Sequence, residues 1–238
     1  MAPPTLYHVP KSISSPIYQA LLELKVVDNP VHVKTLSFDD LKSPEHLARN
    51  PMGTVPTFLD DDNSIQIWES GAVLTYLLEM FDHCYRLHPN PQKANPRNRA
   101  RFLHLQQFII ATAYPFVATL YLHIITKPKE DQDPTYVSEG IATWRTKLAP
   151  VLVEALADND YFMGDAISAI DLLAAKPFNN VQSLDLLDEF PTLKANFDRV
   201  NSRPTFAKAY SAAPTSPKKN VCKECRSITM VPSIEDTK

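Results

Sequence analysis

One proline constrains this chain more than any other residue. In Gly53-Thr54-Val55-Pro56-Thr57-Phe58-Leu59 it stands at the entry of a β-favouring run, where a residue without an amide hydrogen forfeits a ladder bond. Such a strand must lie at a sheet edge or present that stretch of backbone to something outside the sheet. If the Val55-Pro56 bond is cis, the amide and carbonyl of Val55 face outward and can pair with an extended, peptide-like ligand, as an added strand would. An ordinary trans proline in a loop is the alternative. Gly53 supports a turn just before it, because the chain has only 4 glycines in 238 residues and each is expected to mark a place where the backbone needs one.

The pattern on either side of the proline predicts a small α/β unit. Thr5 to Pro10 forms a short strand, and Ile17 to Val27 carries apolar residues at helical spacing. After the breakers Asp28-Asn29-Pro30, the alternation of Val31, Val33 and Thr35-Leu36 reads as a second strand, completing β-α-β. Ser43-Pro44-Glu45 starts a helix and Asn50-Pro51-Met52-Gly53 is a turn, so the third strand is expected from about Thr54. Asp60 to Asn63 turns the chain into Ser64 to Trp68, the returning strand of a hairpin, and Glu69-Ser70 opens a helix to about Phe81. The expected division is an α/β domain over 1–82, a Pro-rich linker over 83–98 and an all-α domain over 99–210. A tail over 211–238, poor in large apolar groups, is expected to be disordered unless docked.

Bulk properties exclude several classes. A net charge of −3 gives no general attraction to nucleic acid or to an anionic membrane. Cys84, Cys222 and Cys225 are too few for a disulfide framework, and the N-terminus has neither the basic start nor the apolar run of a leader, so a cytoplasmic location is expected. Phe108 to Ile125 is free of formal charge, but its Thr, Tyr, Pro and His residues favour a buried helix over a membrane span. The seven histidines show no ligand spacing with a Cys or acid, so no metal site is expected, and Cys222-x-x-Cys225 is half a motif. Arg97, Arg99 and Arg101 read as solvated charges, and Ser168 to Asp171 as a capping box.

Two helix starts are suited to an anion, since the first amides of a helix are unpaired and its N-terminus is partly positive. Glu69-Ser70 precedes one and adds a carboxylate, so this point can hold both ends of an amino-acid zwitterion. Ser12, Ser14 and Ser15 crowd the other. A serine hydroxyl given to a ligand thiol there favours the thiolate, and simple capping is the alternative.

Asn50 to Phe58 followed by Glu69-Ser70-Gly71-Ala72-Val73-Leu74-Thr75-Tyr76-Leu77 resembles the N-terminal signature of cytosolic glutathione S-transferases. Thr5 to Ser12 and Leu21 to Leu24 are similar to the first strand and helix of bacterial and fungal members. Phe162-Met163-Gly164-Asp165 with Ser168-Ala169-Ile170-Asp171 resembles the capping motif of their helical domain, and the likeness spans about residues 5–210. It implies a thioredoxin-like domain followed by a helical one, and glutathione as co-substrate. By this resemblance Val55 pairs with the cysteinyl backbone, Pro56 is cis, Glu69 and Ser70 hold the γ-glutamyl end, and Lys42 reaches the glycyl carboxylate. Ser12 takes the thiol-activating position when counted from the first strand, and Ser14 on an insect-type register; the first count is preferred. With no cysteine at that position, the glutaredoxin-like branch is disfavoured.

The same resemblance makes part of the aromatic stretch Phe102 to Tyr121 the wall of an apolar electrophile pocket, with Phe108 and Tyr114 the candidates. The expected reaction is conjugation of glutathione to an apolar electrophile, in a homodimer. A non-catalytic glutathione carrier is the alternative from another class, and a glutathione-dependent peroxidase, isomerase or ether-cleaving enzyme is the alternative within this one.

Overall fold

In the computed structural model, which describes residues 3–211, four strands form one mixed sheet in the order β2-β1-β3-β4: Thr5–His8 (β1), His32–Thr35 (β2), Thr57–Asp60 (β3) and Ile65–Trp68 (β4). The expected tail and its Cys222 and Cys225 lie outside the described residues. β1 runs parallel to β2 and antiparallel to β3, and β4 returns antiparallel to β3. The crossover from β1 to β2 is helix α1, Ser14–Leu24, so the β-α-β unit and the hairpin both stand as read. Helix α2, Pro44–Arg49, starts where expected, with the Ser43 hydroxyl accepting the His46 amide at 3.2 Å. The third strand enters its ladder at Thr57 and not at Thr54. Pro56 has no hydrogen to give a neighbouring strand, so pairing begins only after it.

The sheet is a thioredoxin-like layer, and the rest of the chain is helical. Helix α3 is Ser70–Phe81, and after the non-helical segment 82–95 come α4 (Pro96–Gln107), α5 (Tyr114–Thr126), α6 (Pro134–Thr143), α7 (Ala149–Leu156), α8 (Ala169–Gln182), α9 (Pro191–Asn201) and α10 (Pro204–Tyr210). Wider π turns at Phe108–Ala113 and Trp144–Leu148 join α4 to α5 and α6 to α7. Five of these helices, α2, α4, α6, α9 and α10, begin on proline, whose fixed φ suits a first turn where no amide bond is lost. Part of the high proline content is therefore helix-start punctuation.

The larger of two apolar clusters crosses from sheet to helices through α1. Leu6 and Phe58 of the sheet, Ile17 and Leu21 of α1, Phe102 of α4 and Phe178 of α8 are all at most 1% exposed and belong to one cluster. Helix α8 is buried along nearly its whole length. Its start is the expected capping box: the Asp171 carboxylate accepts from the Ser168 amide at 2.8 Å, the Ser168 hydroxyl at 2.7 Å, the Phe162 amide at 2.9 Å and the Asn196 side chain at 2.9 Å.

Two expectations need correction. Phe108 to Ile125 is helical but buried on one side only: Ile109, Ala113, Val117 and Leu120 face inward, while Leu122 and Ile125 are more than half exposed. Apolar residues at helical spacing fill one stripe, and here the apolar content runs past that stripe. Pro96–Thr126 is by length and composition apolar enough to cross a membrane, and its inward stripe packs here on α8. Arg101 is likewise not a solvated charge. Its guanidinium donates to the carbonyls of Phe162, at 3.1 and 3.2 Å, and Ala155, tying α4 to the end of α7 and the loop beyond it.

The two halves are also joined by polar contacts. Gln106 of α4 donates to the Thr75 hydroxyl of α3 at 2.9 Å, and Arg203, just before α10, holds Glu23 of α1 in a two-pronged pair at 2.6 Å with Thr205 alongside. Burial alone would raise the Glu23 carboxyl, but the bonds from Arg203 and Thr205 outweigh it and leave the group below its ordinary range. The pair therefore contributes fully above the ordinary glutamate pKa of about 4.3, and its contribution fades as pH falls through the lower folded value. Glu23→Gln should cost about 2 kcal/mol at neutral pH, less than a fully buried pair because Arg203 keeps contact with solvent. Urea melts between pH 7 and pH 3 should show the variant losing less stability on acidification than the wild type.

Candidate active site

The carboxyl end of β1, the start of α1, the approach to β3 and the start of α3 converge on one open cleft of about 350 Å³. Ser12 and Ile13 line it from the α1 side, Gly53 to Pro56 from the β3 side, and Glu69 and Ser70 from α3. Tyr114, the first residue of α5, completes the lining with Phe38 and Leu41. The Val55-Pro56 bond is cis, and neither the amide nor the carbonyl of Val55 belongs to the β3 ladder, which starts at Thr57.

Local backbone geometry shows why these residues stand where they do. Gly53 has φ +61°, and a Cβ there would lie 3.0 Å from the Leu41 carbonyl oxygen, so a side chain would be strained by the backbone and crowded by Leu41. Glu69 also has positive φ, +80°, which for a residue with a side chain costs on the order of 1–3 kcal/mol. That turn swings the chain from β4 into α3 and leaves Ser70, Gly71 and Ala72 ahead of the first intrahelical amide bond, from Val73 to the Glu69 carbonyl. Lys11, at φ +63°, makes a similar turn before Ser12.

The cleft is electrostatically simple. Among the described residues lining it Glu69 is the one formally charged, and neither α1 nor α3 carries an acidic residue in its first turn to compete with a bound anion. Burial holds the Tyr114 hydroxyl above its ordinary pKa, so it is a neutral donor at physiological pH. Two helix N-termini, the free Val55 edge and one carboxylate suit a small peptide that carries an ammonium and a negative group.

Ser12, Val55, Pro56, Glu69, Ser70 and Tyr114 are thus brought together, and three other candidates are not. Ser14 is fully buried behind Ser12, with the two hydroxyl oxygens 2.7 Å apart. Lys42 is exposed at the end of the short turn Asp40–Lys42, one residue beyond cleft-lining Leu41. Phe108 opens the π turn and packs, half-buried, against the main core and away from the cleft. Two neighbours escaped sequence reasoning. His8, 1% exposed, hydrogen-bonds Ser14 at 2.8 Å, and Lys176 of α8 lies 5.9 Å from the Tyr114 ring centre with its ammonium on Asn180 at 2.6 Å. A histidine on the inward face of a strand was the visible signal for the first. Nothing local marks the second.

Residues 2–79 match the family model for the glutathione S-transferase N-terminal domain, and residues 112–213 match one for the C-terminal domain. Glutathione S-transferase 1 of Schizosaccharomyces pombe is 46% identical over 209 residues, covering 79% of this chain and 86% of that protein. The chain belongs to the glutathione S-transferase family. Another glutathione S-transferase, the probable GSTF2 of Oryza sativa subsp. japonica, is 27% identical over 223 residues, covering 89% of this chain and 97% of the relative. A glutathione transferase homolog from Lodderomyces elongisporus, solved with two GSH per subunit, shares the fold with a TM-score of 0.75 at 20% identity, over 88% of this chain and 98% of that one. In this family member the cleft lies at the junction of the two matched regions, with Tyr114 the one lining residue from the second among the described residues.

Proposed function

We propose that this protein binds glutathione along the Val55 edge and conjugates its thiolate to apolar electrophiles held on the Tyr114 side of the cleft. The observation that carries the reading is the convergence of Ser12, Val55, Ser70, Glu69 and Tyr114 on one 350 Å³ cleft. Val55 would pair with the cysteinyl backbone, while Ser70 and the open amides of α3 receive the γ-glutamyl carboxylate and Glu69 its ammonium. This places the cysteine side chain toward Ser12 and the N-terminus of α1, where a hydroxyl donor and the helix field both favour negative sulfur. Lys42, near the rim, is the proposed partner of the glycyl carboxylate, and Ile13, Phe38 and Tyr114 offer the apolar surface for the acceptor.

Turnover of a generic aryl halide with glutathione tests the reading, because a carrier would bind the tripeptide without consuming the halide. Ser70→Ala should raise KM for glutathione about tenfold and leave kcat within about threefold, the signature of a contact made equally in ground and transition states. A Ser70→Ala variant with unchanged KM would remove the γ-glutamyl end from this site.

A further inference from the structure

The polar network behind Ser12 reaches a residue for which the conjugation reading has no role. β1 alternates, so Tyr7 and Val9 face one side of the sheet while Leu6 and His8 face the main core. An imidazole on that face is costly to desolvate unless both its nitrogens are satisfied. Nδ1 lies 2.8 Å from the Ser14 hydroxyl, and the ring also faces the backbone of Ala209 in α10, whose influence favours a protonated ring nitrogen.

Those partners set the tautomer and then the whole chain of bonds. Burial lowers the pKa of His8 to about 4, so at neutral pH the ring carries one proton, toward Ala209, and Nδ1 accepts the Ser14 hydroxyl. The Ser14 oxygen in turn accepts the Val9 amide at 3.1 Å. Ser12 accepts the Ser14 amide at 3.1 Å and has its own hydroxyl 2.7 Å from the Val9 carbonyl and from Ser14. These bonds stitch residues 9–14 into a closed loop around Lys11, which has positive φ.

We propose that His8 is a positioning residue for the reaction: braced against α10, it anchors Ser14 and thereby holds the Ser12 loop with its hydroxyl at the thiol position. This rests on the proposed role of Ser12. A neutral ring with so low a pKa does not take the thiol proton; it acts by holding the loop. With Ser14 spending its single hydroxyl hydrogen on His8, the Ser12 hydrogen meets only neutral acceptors inside the protein, and a thiolate outcompetes both. The helical half of the chain thus reaches the thiol site through Ala209 and His8 as well as through Tyr114.

Two amide substitutions separate the two bonds of the ring. His8→Asn places its amide where Nδ1 was and keeps the Ser14 contact; His8→Gln reaches the Ala209 side and leaves the Ser14 hydroxyl without its ring acceptor. His8→Asn should retain kcat within about threefold, whereas His8→Gln should lose about tenfold in kcat with KM for glutathione unchanged and a weaker ultraviolet thiolate signal from the bound tripeptide at neutral pH. Ser14→Ala should show the same loss, and adding His8→Gln to it should cost nothing further. If His8→Gln does not fold, Ser14→Ala and His8→Asn carry the test alone. Full thiolate signal and kcat in Ser14→Ala or in folded His8→Gln would overturn the proposal while leaving Ser12 in place. Absence of a thiolate signal in the wild-type complex would overturn both readings.

Discussion

Ser12→Ala is expected to lower kcat for glutathione conjugation about a hundredfold, some 2.7 kcal/mol of activation free energy, with little change in glutathione affinity. The tripeptide would be held by Val55, Glu69 and Ser70, none of which touches the substituted hydroxyl, so binding has no reason to weaken. The thiol loses its one side-chain donor. A free thiol of pKa about 9 is roughly 1% ionised at neutral pH, and a hydroxyl donor at a helix N-terminus can bring it to about 6 or 7, raising the thiolate fraction tens-fold. Because α1 keeps its field in the variant, the loss should stop short of the uncatalysed rate. Thiolate absorbance and turnover, measured side by side in wild type and variant, check this. A variant that keeps both would show that Ser12 is a loop-capping residue and that another group, such as the amides opening α1, ionises the thiol.

Asp171→Ala is expected to destabilise the fold by about 3–5 kcal/mol, a large share of the total available to a domain. The carboxylate is fully buried and accepts four hydrogen bonds, so its removal leaves the Phe162 and Ser168 amides, the Ser168 hydroxyl and the Asn196 side chain facing an empty space. Asp171→Asn should rescue little. All four partners are donors, and a carboxamide would turn its own NH2 toward two of them. The effect should spread beyond α8, since this helix is the centre of the second half and packs on α1, α5 and α9. Urea midpoints read by circular dichroism would report it, and a loss below about 1 kcal/mol would mean that water replaces the carboxylate at this helix start.

The architecture was legible because its signals are local. Pro56 cannot donate to a ladder, Gly53 marks a turn, Ser168 and Asp171 are spaced as a capping box, and the β-favouring run Thr5 to Pro10 and the alternation in Val31 to Leu36 need no knowledge of neighbours. Each follows from the covalent chemistry of a few adjacent residues. Even the late start of β3, at Thr57, is the same proline property carried one step further. Glu69 and Ser70 were readable for a similar reason, as a carboxylate and a hydroxyl at a helix start.

What required the folded molecule was the direction in which side chains two or more residues apart finally point. Ser12 and Ser14 are chemically alike and both stand at the start of α1, and only the packing of that helix between the sheet, α8 and α10 turns one to the cleft and buries the other. Phe108 and Tyr114 are two aromatics of one helical stretch, yet the second stands in the wall of the cleft and the first packs on the core. Arg101 read as a solvated charge because its two carbonyl partners lie 54 and 61 residues further along the chain. The sequence by itself determined the elements, their order and the backbone edge that a peptide ligand could use, since those depend on near neighbours. The tertiary structure alone decided which serine and which aromatic meet at that edge and which histidine stands behind them, because contacts between residues distant in the chain exist only once the core has closed.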